Sequence, residues 1–181
     1  FYYITVTNEN VANPSLPPEA HEGAIRGMYR LQAGSAHSPR RVQLLGSGAI
    51  MGEVLKAAAI LEREHGVAAD VWSVTSYAEL ARDGEAQLER WRGGAPAQPS
   101  WFAQQLGASQ GPIIAASDYV RALPELVRAY LPTDANGLPR QHYYTLGTDG
   151  FGRSDSRAAL RQHFAVDAAA IVQTYLRSQQ A

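Results

Sequence analysis

The chain has 181 residues and a nearly balanced charge, with 16 Lys and Arg against 17 Asp and Glu and a formal net charge of −1. This length, with 45% hydrophobic and 18% charged residues, predicts one globular domain over 1–181 and excludes disordered, collagen-like and coiled-coil chains. Its apolar runs fall well short of the ~20 residues that cross a bilayer, so a membrane protein is not expected.

The first half of the chain begins with a predicted strand and then a weak helix. Aromatic and β-branched residues over Phe1–Thr7 predict the strand, and the helical spacing of apolar residues over Glu19–Leu31 predicts the helix, although Gly23 and Gly27 interrupt it. Further on, the pattern predicts a strand at Val42–Leu45, a turn at Gly46-Ser47-Gly48, and a helix over Ala49–His65 that ends at Gly66.

The second half continues the alternation of strands and helices. It contains predicted strands at Val71–Thr75, Pro112–Ala116 and His142–Leu146, and predicted helices over Tyr77–Trp91, Tyr119–Leu131, Ser156–Phe164 and Ala168–Gln179. Within Tyr119–Leu131, Pro124 either kinks one helix or starts a second. Ser76, Asp118 and Asp167 are the expected N-caps of three of these helices. Strand–helix–strand units predict a three-layer α/β sandwich with a mostly parallel, five-stranded sheet.

The Gly46-Ser47-Gly48 turn lies between a predicted strand and the start of a helix. Free backbone N–H groups and the helix dipole at such a place bind anions, which makes this turn a candidate site for a small anionic ligand. Alternatively, the two glycines allow a sharp turn and close packing of the helix on the sheet. The turn lacks the third glycine of a dinucleotide fingerprint and the Gly-Lys-Ser/Thr of a Walker loop.

A second candidate loop follows the last predicted strand. It concentrates glycines, charges and an aromatic side chain: Gly147, Asp149, Gly150, Phe151, Gly152, Arg153, Ser154 and Asp155. The simpler interpretation is a turn with left-handed glycines and a helix cap. The functional interpretation is a loop presented to a partner subunit or to the mouth of an active site.

Other catalytic chemistries have little support in this sequence. The absence of cysteine excludes thiolate metal sites and cysteine nucleophiles, and it makes a cytoplasmic location the expectation. The five histidines include no i, i+4 pair, so no metal site is predicted, and no G-x-S-x-G motif indicates a hydrolase. The 15 Arg and the single Lys56 are scattered among acidic residues, which argues against nucleic-acid binding.

An ordered set of motifs resembles a known family over nearly the whole chain. The motifs are FYYITVTNEN, EGAIRGMYRL, VQLLGSGAI, GVAADVWSVTSYAELARDG, ERW, AASDY and LGTDGFGRSDSRAALRQHFAVDA. In this order they resemble the C-terminal domain of the homodimeric-type first, decarboxylating component of pyruvate dehydrogenase, a thiamine-diphosphate enzyme related to transketolase. The chain departs from the family pattern at Val11–Pro14 and Arg92–Ala95, which leaves open which small 2-oxo acid is used.

The resemblance implies a supporting role for this domain. It implies a transketolase C-terminal-like fold, in which residues 1–40 are a connecting strand and linker from a preceding domain, and in which the loops at 46–48 and 147–155 contribute dimer surface. The resemblance further implies that thiamine diphosphate and Mg²⁺ bind between two preceding domains of the parent enzyme. The implied partners are a second copy of the parent chain and the lipoyl-bearing acyltransferase. No catalytic residue of the family is carried onto this chain.

Overall fold

The computed structural model describes residues 14–180, and the strand predicted at Phe1–Thr7 lies outside this range. The strands are β1 Met28–Gln32, β2 Arg41–Gly46, β3 Ala68–Val74, β4 Ile113–Ala116 and β5 Tyr143–Leu146. The helices are α1 His21–Ile25, α2 Met51–His65, α3 Tyr77–Arg92, α4 Trp101–Leu106, α5 Ala122–Glu125, α6 Arg157–His163 and α7 Ala168–Ser178. None of the helices within 14–180 is long and apolar enough to span a membrane.

The five strands form one sheet in the order β1-β3-β2-β4-β5. β3, β2, β4 and β5 are parallel, and β1 pairs with β3 in the antiparallel direction. The predicted mostly parallel, five-stranded sheet is therefore confirmed. All four parallel strands end at the same edge of the sheet, which we call the carboxyl edge.

Side chains that alternate along β2 divide the core into two halves. Val42 and Leu44 pack on one face against Val54, Leu61 and Ile171, which belong to α2 and α7. On the other face, three residues of the sheet pack with one residue of α3 and two of α4: Leu45, Trp72 and Tyr143 with Leu80, Phe102 and Leu106. The sheet lies between two helical layers because it is apolar on both faces, which confirms the three-layer sandwich.

Most helix boundaries follow the capping signals in the sequence. Ser76 Oγ accepts a hydrogen bond from Glu79 N at 3.1 Å, and the Asp167 carboxylate accepts one from Ala170 N at 2.9 Å. Gly66 ends α2 in the left-handed conformation with φ 61°, and its N–H donates to the Leu61 carbonyl. These three predicted caps are confirmed.

The helix predicted over Glu19–Leu31 is wrong in its second half. α1 ends at Ile25, and Gly27 then adopts φ 103°, which helical backbone does not allow. The Gly27 carbonyl accepts hydrogen bonds from Thr75 N and Ser76 N, and Met28 begins β1. This strand falls within residues 1–40, for which the resemblance implies a connecting strand and linker, and it belongs to the sheet of this domain.

The segment after β4 also differs from the prediction. Over Tyr119–Leu131 the sequence predicts a helix capped by Asp118, either kinked at Pro124 or divided there into two. The structure has instead the four-residue α5, with Pro124 inside it, and a 3-10 turn at Arg128–Tyr130. Asp118 caps neither of them. The sequence pattern predicts no helix at α4, which is capped by Ser100 and directly follows a run rich in Gly and Pro at 93–100.

Candidate functional site

The loops that follow β2, β4 and β5 meet at the carboxyl edge. From β2 the chain continues to β3, which lies on one side of β2 in the sheet, and then to β4, which lies on the other side of β2. The direction in which strands are added therefore reverses between β2 and β4. In open α/β sheets, ligands bind in the crevice at such a reversal point. The first predicted loop, Gly46–Gly48, lies at this point, and the second, after β5, lies one strand away.

The Gly46–Gly48 turn is tied to the loop after β4. Ser47 N donates to the Ala116 carbonyl at 3.3 Å, and Ser47 Oγ donates to the Oγ of buried Ser117 at 2.9 Å. Gly48 has φ 56°, and a Cβ atom added to it would lie only 2.6 Å from Asp118 Oδ1. The glycine is therefore required both by its backbone conformation and by the close approach of Asp118.

The position of Asp118 bears on the anion-binding interpretation of this turn. Its carboxylate lies against Gly48 at the start of the helical segment, and it accepts no hydrogen bond from any residue in 14–180. A bound anion at that place would meet a carboxylate of the same charge. The geometry therefore favours the packing interpretation of the two glycines over an anion site.

The loop after β5 is fastened to the loop after β4 by several hydrogen bonds. Thr148 N donates to the Tyr119 carbonyl at 2.9 Å, and Thr148 Oγ1 donates to the Asp118 carbonyl at 2.7 Å. Arg121 donates to Asp149 from both its backbone N–H, at 2.8 Å, and its guanidinium. These two donors from Arg121 hold the pKa of the Asp149 carboxyl below its ordinary value. Sequence reasoning singled out Asp149 but missed Arg121, because the pair forms only when neighbouring parallel strands end together.

The remaining residues of the second predicted loop project away from the fold. Gly150, Phe151, Gly152, Arg153 and Ser154 are all exposed. Gly150 has φ 92°, in agreement with the expected left-handed glycine. Thus the structure brings Asp149 against the loop after β4, whereas the tip of the loop after β5, which includes Phe151, is open to solvent.

The resemblance implies thiamine diphosphate and Mg²⁺ for the parent enzyme, and the described residues do not fit a site for them. Mg²⁺ takes oxygen ligands, in large part carboxylates and phosphates. In 14–180, no group of three or more His, Asp or Glu side chains is placed to hold a metal ion. The helix start nearest the crevice lies against the Asp118 carboxylate, which has the same sign of charge as a diphosphate.

Two buried carboxylates outside the crevice stabilise the scaffold behind it. Glu53 on α2 accepts hydrogen bonds from Lys56 Nζ at 2.8 Å, Arg161 at 3.3 Å and Ala168 N at 3.1 Å, which joins α2 to α6 and α7. Burial by itself would raise the pKa of Glu53, but the bonds from Lys56 and Ala168 N, together with the charges of Lys56 and Arg161, lower it.

The second buried carboxylate, Asp70, lies near the opposite edge of the sheet. It accepts hydrogen bonds from Arg41 on β2, from Gln43 Nε2 at 3.0 Å and from Gly34 N at 3.0 Å. Gln43 Oε1 in turn accepts from Trp72 Nε1 at 2.8 Å. Since each of these buried polar groups has a partner, the network orders the sheet without requiring a ligand.

Comparison with known proteins places this fold in a family. Residues 27–167 match the transketolase-like TK C-terminal domain. The chain is 48% identical over 170 residues to the pyruvate dehydrogenase E1 component of Pseudomonas aeruginosa and 46% identical over 175 residues to that of Escherichia coli K12. These alignments cover 92% and 95% of this chain but only 18% of each relative, so the chain spans less than a fifth of their length.

Solved structures agree with this fold. Transketolase from Campylobacter jejuni aligns with a TM-score of 0.54 and 19% identity, over 92% of this chain and 20% of that one. Transketolase from Leishmania mexicana aligns with a TM-score of 0.52 and 19% identity, over 86% of this chain and 18% of that one. With the family match, these results show that the chain belongs to the transketolase-like C-terminal domain family and is homologous to the corresponding part of pyruvate dehydrogenase E1 components.

Proposed function

We propose that this chain is the C-terminal, non-catalytic assembly domain of a pyruvate dehydrogenase first component. The parent enzyme oxidatively decarboxylates pyruvate or a close 2-oxo acid with thiamine diphosphate and Mg²⁺, and passes the acyl group to a lipoyl group. The observation that carries this proposal is 48% identity to a pyruvate dehydrogenase E1 component over 92% of the chain. The proposed partners are a second copy of the parent chain and the lipoyl-bearing acyltransferase, and the proposed location is the cytoplasm.

The division of labour between this domain and the rest of the parent follows from the chemistry. Thiamine diphosphate supplies the electron sink for the decarboxylation, so the protein has to bind, orient and enclose it. The described residues offer a packed sandwich, a buried carboxylate, Glu53, that joins α2 to α6 and α7, and ordered loops at the carboxyl edge. These features suit a rigid support for neighbouring domains.

The test compares the full parent polypeptide with the 181-residue chain by itself. Both are supplied with thiamine diphosphate, Mg²⁺, pyruvate and an artificial electron acceptor, and acceptor reduction is followed. We expect turnover by the full polypeptide and none by the shorter chain. Turnover by the short chain would refute the non-catalytic role, and a full polypeptide inert towards every small 2-oxo acid would refute the parent activity.

A separate measurement addresses the anion-binding alternative. If the chain were a free-standing module that binds phosphate-containing ligands at Gly46–Gly48, such ligands would raise its melting temperature in a concentration-dependent way. Because the Asp118 carboxylate lies against Gly48, we expect no such rise with inorganic phosphate or a nucleotide at millimolar concentration. A saturable rise that disappears in Gly48→Ala would restore the alternative.

A further inference from the structure

A groove of about 750 Å³ lies along one face of α3, on the side of the sandwich that carries α4. Such a volume is typical of ligand sites in proteins. One side of the groove consists of α3 residues spaced three or four apart, which are Gly84, Gln87, Leu88 and Trp91. Residues 97–100 and 129–133 supply most of the remaining lining. We call this feature the α3 groove.

The α3 groove is uncharged. Within 14–180, its lining contains apolar and neutral polar residues but no Asp, Glu, Lys, Arg or His. Glu85, which adjoins the groove on α3, is already engaged, because it pairs with Arg92 at 3.0 Å and accepts a hydrogen bond from Tyr130 Oη at 3.1 Å. A charged ligand would lose hydration here without gaining a counter-charge, so the lining favours a neutral ligand.

The polar side chains of the α3 groove include hydrogen-bond donors that are open to a ligand. Trp91 is 57% exposed. Its Nε1 and the amides of Gln87 and Gln98 make no hydrogen bond with any residue in 14–180. An indole N–H only donates, and an amide side chain both donates and accepts. These groups suit a ligand that presents carbonyl oxygens.

The backbone conformation of a peptide ligand follows from these donors. A helical peptide already uses most of its carbonyls within the helix, and an added strand needs an open sheet edge, whereas helices and a loop form this groove. A polyproline II segment leaves its carbonyls without internal partners, and its prolines have no N–H that needs an acceptor. Grooves lined by aromatic residues, as this one is by Trp91 and Tyr130, bind such segments.

The length of the groove along α3 agrees with a segment of this kind. From Gly84 to Trp91 the helix rises by about 10 Å, at 1.5 Å per residue. One turn of polyproline II contains three residues and rises by about 9 Å. One turn of the ligand would therefore lie along this side of the groove.

The lining is ordered without a ligand. The Tyr130 ring packs directly on Gly84. Ser100 Oγ caps α4 by accepting a hydrogen bond from Ala103 N at 3.2 Å, and Asp134 N donates to the Leu138 carbonyl at 2.8 Å, which closes the turn beside the groove. A preformed groove and a stiff, proline-rich ligand both lose little conformational freedom on binding.

We propose that the α3 groove binds a neutral, proline-rich segment of another protein in the polyproline II conformation. Trp91 packs against the proline rings and donates its Nε1–H to a carbonyl of the segment. The groove lies on the α3 and α4 side and takes no part in the proposed function, so the binding and the enzymatic activity are tested separately.

The test measures binding of a fluorescein-labelled peptide of about ten prolines to the full polypeptide that contains this domain, by fluorescence anisotropy. A peptide of the same length and label that alternates Gly and Ser is the control ligand. Trp91→Ala removes the ring, and Trp91→Phe keeps an aromatic ring but removes the Nε1 donor. The control variant is Tyr119→Ala, since Tyr119 has the same exposed fraction as Trp91, 57%, but lies at the carboxyl edge.

We expect saturable binding of the proline peptide and much weaker binding of the Gly-Ser peptide. Trp91→Ala should raise the Kd about thirtyfold and Trp91→Phe about fivefold, whereas Tyr119→Ala should leave it unchanged within about twofold. Because Trp91→Phe is a conservative change, it keeps the test valid if Trp91→Ala fails to fold.

Three results would overturn the proposal. One is the absence of saturable binding, because the groove would then be covered in the full polypeptide or would have no affinity for this conformation. Equal affinity for the two peptides, or equal losses in the Trp91 variants and Tyr119→Ala, would be the second. The third is a change of oligomeric state in Trp91→Ala, measured by sedimentation velocity, which would assign the groove to a second copy of the chain.

Discussion

Replacement of Asp70 by Asn removes one charge from the buried network at little cost in volume. Each carboxylate oxygen of Asp70 accepts two hydrogen bonds: Oδ1 from Gly34 N and Arg41, and Oδ2 from Arg41 and Gln43. Whichever oxygen is replaced by the NH₂ group of the new amide, the two hydrogen-bond donors that bonded to that oxygen then face another donor. Asp70→Asn therefore loses two hydrogen bonds in either orientation and also leaves the Arg41 cation without its counter-charge.

The magnitude follows from the burial of the site, since Asp70 is only 5% exposed. A hydrogen bond to a charged group contributes about 1.5–3 kcal/mol, and breaking a buried ion pair costs about 3–5 kcal/mol. We expect Asp70→Asn to lower the free energy of unfolding by about 3–5 kcal/mol. With a urea m-value of about 2 kcal/mol/M, the unfolding midpoint falls by about 2 M.

Urea unfolding of the 181-residue chain, followed by circular dichroism, measures this change. The matched control is Glu64→Gln, which neutralises an exposed carboxylate paired with Arg63 and is expected to change the midpoint far less. A midpoint for Asp70→Asn that coincides with that of the wild type, at an unchanged m-value, would refute the reasoning.

The same site predicts a dependence of stability on pH. Burial raises the pKa of Asp70, but the bonds from Arg41, Gln43 and Gly34 N and the charge of Arg41 outweigh it and hold the pKa below its ordinary value. The stabilisation is therefore present above the unfolded-state pKa of about 4 and is lost as the pH falls through the lower folded-state pKa. As the pH falls below about 4, the difference in free energy of unfolding between the wild type and Asp70→Asn therefore begins to narrow, and urea midpoints at about pH 7 and about pH 3 would show this.

Three further experiments, which use five substitutions, test other parts of the scaffold by the same unfolding measurement. Glu53→Gln keeps the shape of the side chain but removes the charge that holds α6 and α7 on α2, so we expect the free energy of unfolding to fall by about 2–4 kcal/mol. A fall no larger than that of an exposed Glu→Gln control would contradict this role. Gly84→Ala places a methyl group against the Tyr130 ring and is expected to lower the free energy of unfolding by about 1–3 kcal/mol. Its control is Gly52→Ala in the first turn of α2, where the new methyl group meets nothing within 4 Å, and we expect this change to raise the free energy of unfolding by about 0.5–1 kcal/mol. Equal effects of the two substitutions would refute the packing argument. Gly48→Ala is expected to lower the free energy of unfolding by about 1–3 kcal/mol, because residue 48 has a positive φ and its new methyl group contacts Asp118. In the double variant that also carries Asp118→Ala, we expect only part of this stability to return, because Asp118→Ala relieves the contact and not the backbone strain.

The sequence contained enough local information for most of the sandwich. Periodicity located β2, α2, α3, β4 and β5, and the caps Ser76, Gly66 and Asp167 set helix ends, because these signals depend on residues close together in the chain. The ordered motifs carried the resemblance to the family, which the comparison confirms. The glycine-rich loop after β5 was also identified, since its composition is unusual by itself.

Tertiary structure decided the features that depend on distant partners. Met28–Leu31 has helical spacing, yet the segment forms β1, because Gly27 breaks the helix and the unpaired edge of β3 provides hydrogen bonds that a short helix could not replace. Asp118 has the residue type and position of an N-cap, but its loop is held instead by Ser47 and Thr148, from loops that follow strands remote in sequence. The joining of three loops at the carboxyl edge, and the exposure of Phe151 there, follow from the order in which the strands pair, which no local pattern encodes.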